Sequence, residues 1–113
     1  MSRLTCLAAA LIVACCSLLP GQDSPASRGK ALFSKYGCYE CHGTQGQGTT
    51  AGARLAPKPI ALAALTAYVR RPAGQMPPYT SKVVSDAELA DIRAYLASIP
   101  DPPPAKSIPL LNQ

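Results

Sequence analysis

The chain has 113 residues, with eleven lysines and arginines against six aspartates and glutamates, and a formal net charge of +5. This length allows one small domain. The basic residues form no continuous tract and do not alternate with aromatic side chains, so no nucleic-acid-binding surface is expected. The positive charge serves solubility or gives a mild bias towards acidic partner surfaces.

The first twenty residues are predicted to be a signal peptide. Their apolar run, Leu4 to Ala14, has the length of a signal-peptide core and is too short to span a bilayer. Residues 12–15 resemble a bacterial lipobox, so lipidation of Cys15, or of Cys16 in its place, would tether the protein to a membrane. Ordinary cleavage beyond both cysteines is the alternative. We therefore expect export, either to the periplasm or to a membrane anchor that faces it.

The first helix of the folded domain is predicted to start at Pro25. Ser24 fits its N-cap, and proline is favoured at the first helical position. The helix should run to Lys35 or Tyr36 and end at Gly37.

The stretch Cys38 to His42 (CYECH) carries the most specific chemistry in the chain. Two cysteines three residues apart, with histidine directly after the second, have the spacing of c-type haem attachment. On one helical turn the three side chains share a face. Cys38 and Cys41 would then add to the two vinyl groups of one porphyrin, and His42 would reach its iron. Because the chain has few large apolar residues, covalent haem c would also supply hydrophobic mass and a cross-link.

Zinc and dithiol redox chemistry use the same cysteine spacing. A structural zinc site takes four ligands, usually from two CxxC-like pairs, and His42 is the only histidine in the chain. Thioredoxin-type chemistry needs a βαβ setting, and no strand is predicted. Haem attachment is the favoured interpretation, with these two as alternatives.

Loop and helix alternate in the remainder of the chain. Gly43 to Pro59 is a glycine- and proline-rich loop whose backbone could lie against a flat ligand, and it lacks the motif of a phosphate-binding loop. A short alanine-rich helix is predicted over Ile60 to Arg71. The capping box Ser85 to Glu88 starts a helix that ends at Ser98. The tail, residues 100–113, holds five prolines and should be extended.

Met76 is the predicted second ligand of the iron. It lies in a loop whose two following prolines stiffen the backbone, so its thioether can be aimed. Methionines more generally serve as packing residues, but the only other one here is Met1.

The region from about Ser27 to Ile99 resembles a class I cytochrome c domain. The resemblance rests on three motifs: Cys38 to His42, the Gly-x-x-Leu of Gly52 to Leu55, and Gln75-Met76-Pro77. It implies an all-α, small cytochrome c fold with three main helices around one covalent haem c, and His42 and Met76 as axial ligands. The expected organisation is a signal peptide, a linker, the cytochrome c domain and a proline-rich tail, at residues 1–20, 21–26, 27–99 and 100–113.

The resemblance also implies that the first and last helices cross. Gly29 and Phe33 should then meet Tyr95 and Leu96. The family usually has proline after the loop glycine, and the proline carbonyl accepts a hydrogen bond from the proximal histidine. This chain has Ala53 there, which leaves open which carbonyl orients the histidine.

The expected function is electron transfer. A periplasmic monohaem cytochrome would pass single electrons between a dehydrogenase or quinol-oxidising complex and a downstream acceptor such as an oxidase or reductase. It would be a carrier or a subunit of an oxidoreductase complex, and not itself an enzyme. The alternatives are a haem enzyme or gas sensor with an open or displaceable sixth ligand, and a structural subunit whose haem only stabilises the fold.

Overall fold

The computed structural model describes residues 24–112, so the predicted signal peptide and lipobox lie outside the described residues. Within this part of the chain the secondary structure is entirely helical, which confirms the all-α prediction. The elements are α1 (Pro25–Lys35), α2 (Cys38–His42), α3 (Leu62–Arg70), α4 (Asp86–Ser98) and two 3₁₀ turns, Ala105–Ser107 and Pro109–Leu111. None of the described helices is long and apolar enough to cross a membrane.

Helix α1 begins and ends where its flanking residues predict. The Ser24 hydroxyl accepts a hydrogen bond from the Ser27 amide at 3.1 Å, and Pro25 occupies the first turn. The helix therefore starts inside segment 21–26, which the sequence assigns to the linker. At its other end Gly37 adopts a left-handed conformation, φ 71°, which lets the chain turn directly into α2.

Helix α4 is started by a complete capping box. The Ser85 hydroxyl accepts from the Glu88 amide at 3.2 Å, and the Glu88 carboxylate accepts from the Ser85 amide at 2.8 Å. The bond from the Ser85 amide lowers the pKa of Glu88 most, and a hydrogen bond from the Tyr36 hydroxyl lowers it further. The helix ends at Ser98 because Ile99, which precedes Pro100, is extended.

The most extensive helix contact is the crossing of α1 and α4. Gly29 is buried there, and a Cβ on it would overlap the Asp91 carbonyl. Next to it the Phe33 and Tyr95 rings lie 5.7 Å apart and tilted by 56°. The predicted contact between Phe33 and α4 is confirmed, whereas Gly29 packs one turn earlier on α4, at Asp91 and Ile92, than predicted.

A single apolar cluster forms the core. Its buried members come from α1, the loop before α3, α3, the loop before α4, and α4: Phe33, Ala56, Leu65, Val69, Val84, Leu89, Ile92, Tyr95 and Leu96. Leu32, Tyr36, Cys38, Leu55, Met76, Tyr79 and Ile99 are partly buried and pack against it. Two of the predicted site residues, Cys38 and Met76, therefore share one apolar environment.

Two predicted boundaries are wrong. Helix α3 begins at Leu62 and not at Ile60, because its N-cap, Ala61, has no side-chain acceptor to start it earlier. The tail is not extended throughout, since two 3₁₀ turns follow Pro104. The Asn112 side-chain amide donates to the Lys106 carbonyl of the first turn at 2.9 Å and to the carbonyl of Ile108, between the turns, at 3.0 Å, and this stabilises the turned conformation.

Replacing Gly29 with alanine should destabilise the protein, because the added methyl group would separate α1 from α4. We expect the free energy of unfolding, measured by urea denaturation of the haem-loaded protein, to fall by about 2 kcal/mol or more. The matched control is Lys30→Ala, at an exposed position of the same helix, with a change within about 0.5 kcal/mol. Equal stabilities for the two variants would contradict the close approach of the helices.

Glu88→Gln should reveal a pH-dependent contribution to stability. A carboxyl whose pKa is lowered on folding stabilises the folded state above its ordinary value, 4.5, and this contribution is lost as the pH falls below it. The wild type should therefore be more stable than Glu88→Gln at pH 7, and the difference should shrink below pH 4.5. Urea denaturation across this range measures the effect, and a pH-independent difference would contradict it.

Candidate functional site

The two thiols of the CYECH stretch lie on the short helix α2. Cys38 and Cys41 are both free, Cys38 partly buried against the core and Cys41 exposed. Burial raises the pKa of the Cys38 thiol. Their separation of three residues on a helical turn places them on one side of α2. This is the arrangement that attachment of two thiols to one porphyrin requires.

The His42 imidazole is held by a backbone carbonyl. Its Nδ1 lies 2.7 Å from the carbonyl oxygen of Ala53. Because a carbonyl can only accept, Nδ1 carries the hydrogen, and Nε2 keeps the lone pair that a metal ion needs. The question that the sequence leaves open is therefore answered: Ala53, which stands where the family usually has proline, supplies the acceptor.

The loop between α2 and Ala53 packs against the back of α2. The Gly48 amide donates to the His42 carbonyl at 2.8 Å, and the Thr49 hydroxyl donates to the carbonyl of Cys41. Gly52 lies so close that a Cβ on it would be 2.6 Å from the Cys41 carbonyl oxygen and 3.0 Å from His42 Nδ1. The loop thus has little freedom, and the Ala53 carbonyl is fixed behind the imidazole.

The Met76 segment is anchored three residues further along, at Tyr79. The Tyr79 amide donates to the Val69 carbonyl at 3.0 Å, and the Arg70 guanidinium donates to the Tyr79 carbonyl at 2.8 Å. The Tyr79 hydroxyl donates to the carbonyl of Tyr36 at 2.8 Å. Tyr36 is two residues before Cys38. This bond therefore connects the methionine segment, residues 76–79, to the cysteine turn, residues 38–42.

No pattern in the sequence indicates that Tyr79, Arg70 or Thr49 holds the loops of the site in place. Each side chain donates a hydrogen bond to a backbone carbonyl. Because every residue has a carbonyl, the sequence does not show which one is the acceptor. Burial raises the pKa of Tyr79, with smaller contributions from Cys38, Cys41 and Glu40, so its hydroxyl remains a donor into the alkaline range.

Most acidic side chains of the described residues are in ion pairs, whereas several basic side chains are not. Four acidic side chains take part in ion pairs: Arg28–Asp91, Lys35–Glu88, Lys58–Asp101 and Arg70–Asp86. Arg54, Arg71 and Lys82 are exposed and have no acidic partner within residues 24–112. In the chain, Arg54 directly follows Ala53, and Arg71 and Lys82 flank the segment that holds Met76.

The zinc alternative receives no support from the described part of the chain. Within residues 24–112, no three or more His, Cys, Asp and Glu side chains come together as a metal ion would require. Two thiols and one imidazole with a free Nε2 fit haem c instead. The thiols would attach the porphyrin and the imidazole would bind its iron, and neither a carboxylate nor a further thiol is needed.

Fold and donor set together are those of a class I c-type cytochrome. A family model described as "Cytochrome C oxidase, cbb3-type, subunit III" matches residues 24–96, well over half of the chain, and the chain belongs to this family. No curated protein and no solved structure gave a match. A cytochrome c domain implies covalently bound haem c and a function in electron transfer.

Gly52→Ala should disturb the histidine by moving the Ala53 carbonyl. With His42 as the predicted iron ligand, a weaker bond from Nδ1 would make the imidazole a poorer donor to ferric iron, so the midpoint potential should rise. We expect a rise on the order of 40 mV, equivalent to about 1 kcal/mol for one electron. Redox titration of the haem-loaded protein measures it, with Ala53→Ser, which keeps the carbonyl, as control. Matching potentials for the wild type and Gly52→Ala would contradict this role of the loop.

Proposed function

We propose that this chain is a monohaem electron carrier. One haem c is bound through Cys38 and Cys41, and its iron is held between His42 Nε2 and the Met76 thioether. When bound, haem c supplies a one-electron Fe(II)/Fe(III) couple. The observation that carries the proposal is the 2.7 Å hydrogen bond between His42 Nδ1 and the Ala53 carbonyl, which prepares Nε2 to bind iron.

The side chains of the site favour electron transfer over substrate chemistry. Two protein ligands leave no open position for a substrate, and a thioether ligand favours the reduced state and so raises the reduction potential. Met76 and Cys38 are partly buried and pack against the same apolar core, which reduces the exposure of the thioether to water.

Redox proteins are the proposed partners. The matching family is described by an oxidase subunit, which supports a cbb3-type oxidase complex as the electron acceptor. A dehydrogenase or quinol-oxidising complex is the proposed donor. The exposed cations Arg54, Arg71 and Lys82 favour acidic docking surfaces on these partners. The protein would act in the periplasm, after export by its signal peptide, and lipidation of Cys15 would hold it at the membrane.

Met76→Ala tests the axial ligand and separates the carrier from a haem enzyme or gas sensor. The wild-type ferric protein should show the charge-transfer band of a thioether–iron bond, and the ferrous protein should not bind carbon monoxide. Loss of the thioether should abolish the band, lower the midpoint potential and allow stoichiometric binding of carbon monoxide.

Gln75→Ala, at the exposed neighbouring position of the same loop, is the control and should behave as the wild type. Carbon monoxide binding by the wild type as readily as by Met76→Ala would mean an open sixth position, and the proposed electron-transfer function would be wrong.

A further inference from the structure

Met76 lies in a loop, and a thioether is a weak ligand that must be held in place. We propose that Tyr79, clamped between Arg70 and Tyr36, is a positioning residue that fixes the Met76 thioether at the haem iron. This inference rests on the proposed function, because it concerns the ligand named there.

Tyr79 is held by three hydrogen bonds from three directions. Its amide is bound to the end of α3 through Val69, its carbonyl receives the Arg70 guanidinium, and its hydroxyl reaches Tyr36 at the end of α1. The Arg70 side chain is itself only 19% exposed. Few water molecules can therefore compete for its hydrogen bond to the Tyr79 carbonyl. Tyr79 therefore has a fixed place relative to both α1 and α3.

The two prolines between Met76 and Tyr79 transmit this position. Each proline fixes its own φ, and a residue before proline is restricted to extended conformations. Met76 and Pro77 both precede a proline, so the segment has few ways to bend. On the other side of Met76, Gly74 has φ +69° and open space around it. The methionine is thus held from the Tyr79 side.

The partners of Tyr79 are in turn fastened to the first turn of α4. The Tyr36 hydroxyl donates to the Glu88 carboxylate at 2.7 Å, and the Arg70 guanidinium donates to Asp86 at 2.6 Å. The cysteine turn and the methionine segment are consequently both connected to α4. Displacement of the thioether by another ligand requires the segment to move, and these hydrogen bonds oppose that movement.

Tyr79→Phe tests the clamp because it removes only the hydroxyl. Its matched control is Tyr95→Phe, since the Tyr95 hydroxyl also donates to a backbone carbonyl at 2.8 Å, that of Thr44, away from the methionine segment. The probe is imidazole, which competes with the thioether for ferric iron. We expect Tyr79→Phe to raise the affinity for imidazole about fivefold, the effect of one net hydrogen bond, and Tyr95→Phe to leave it nearly unchanged.

The thioether–iron band of the wild type is recorded first. Its absence would refute the proposed function itself, before the clamp is tested. With the band present, an unchanged affinity in Tyr79→Phe, or an equal rise in both variants, would overturn the clamp, because an equal rise reflects general loosening. If Tyr79→Phe does not yield haem-loaded protein, Arg70→Gln is used, because it removes the guanidinium that donates to the Tyr79 carbonyl. Arg70→Gln should also raise the affinity for imidazole. An unchanged affinity in this variant would overturn the proposal.

Discussion

The backbone contact of α1 with α4 at Gly29 is the constraint on which the rest of the structure depends. Because no side chain separates the two helices there, the Phe33 and Tyr95 rings can pack and the core can close around them. The same crossing brings the end of α1 beside the first turn of α4. Tyr36 can then reach Glu88, and the position of α2, which follows directly, is set.

The site combines one local element with two distant ones. The helical turn alone places Cys38 and Cys41 together, since their spacing is that of a helix. The histidine and the methionine segment depend on contacts from elsewhere in the chain. The Ala53 carbonyl selects the tautomer of His42, and Tyr79 connects the Met76 segment to the end of α1. Stability of the fold and competence of the site are therefore linked.

Predictions from the sequence succeeded where the physics is local. The N-cap at Ser24 and the capping box at Ser85 need only residues within one turn, and both are observed. The start of α3 and the turns of the tail were missed. Ala61 offers no capping side chain to mark a boundary, and the tail turns depend on Asn112 bonding back to earlier carbonyls.

Contacts with backbone carbonyls explain what else could not be predicted. Gly29 was expected to meet α4 one turn later, because composition does not determine the register of two packed helices. The carbonyl that accepts from His42 cannot be identified from the amino-acid sequence, since every residue has a carbonyl. The role of Tyr79 depends on Tyr36, which is far away in sequence and adjacent only after α1 and α4 have packed.

The most direct test of the central claim, a six-coordinate His42/Met76 centre, is the proton NMR spectrum of the reduced, haem-loaded full chain. A methionine bound to ferrous haem iron lies over the porphyrin, whose ring current shifts its methyl signal far upfield. We expect one such three-proton signal, from Met76, the only methionine between residues 24 and 112. A spectrum of loaded, reduced protein without this signal would mean that Met76 does not bind the iron.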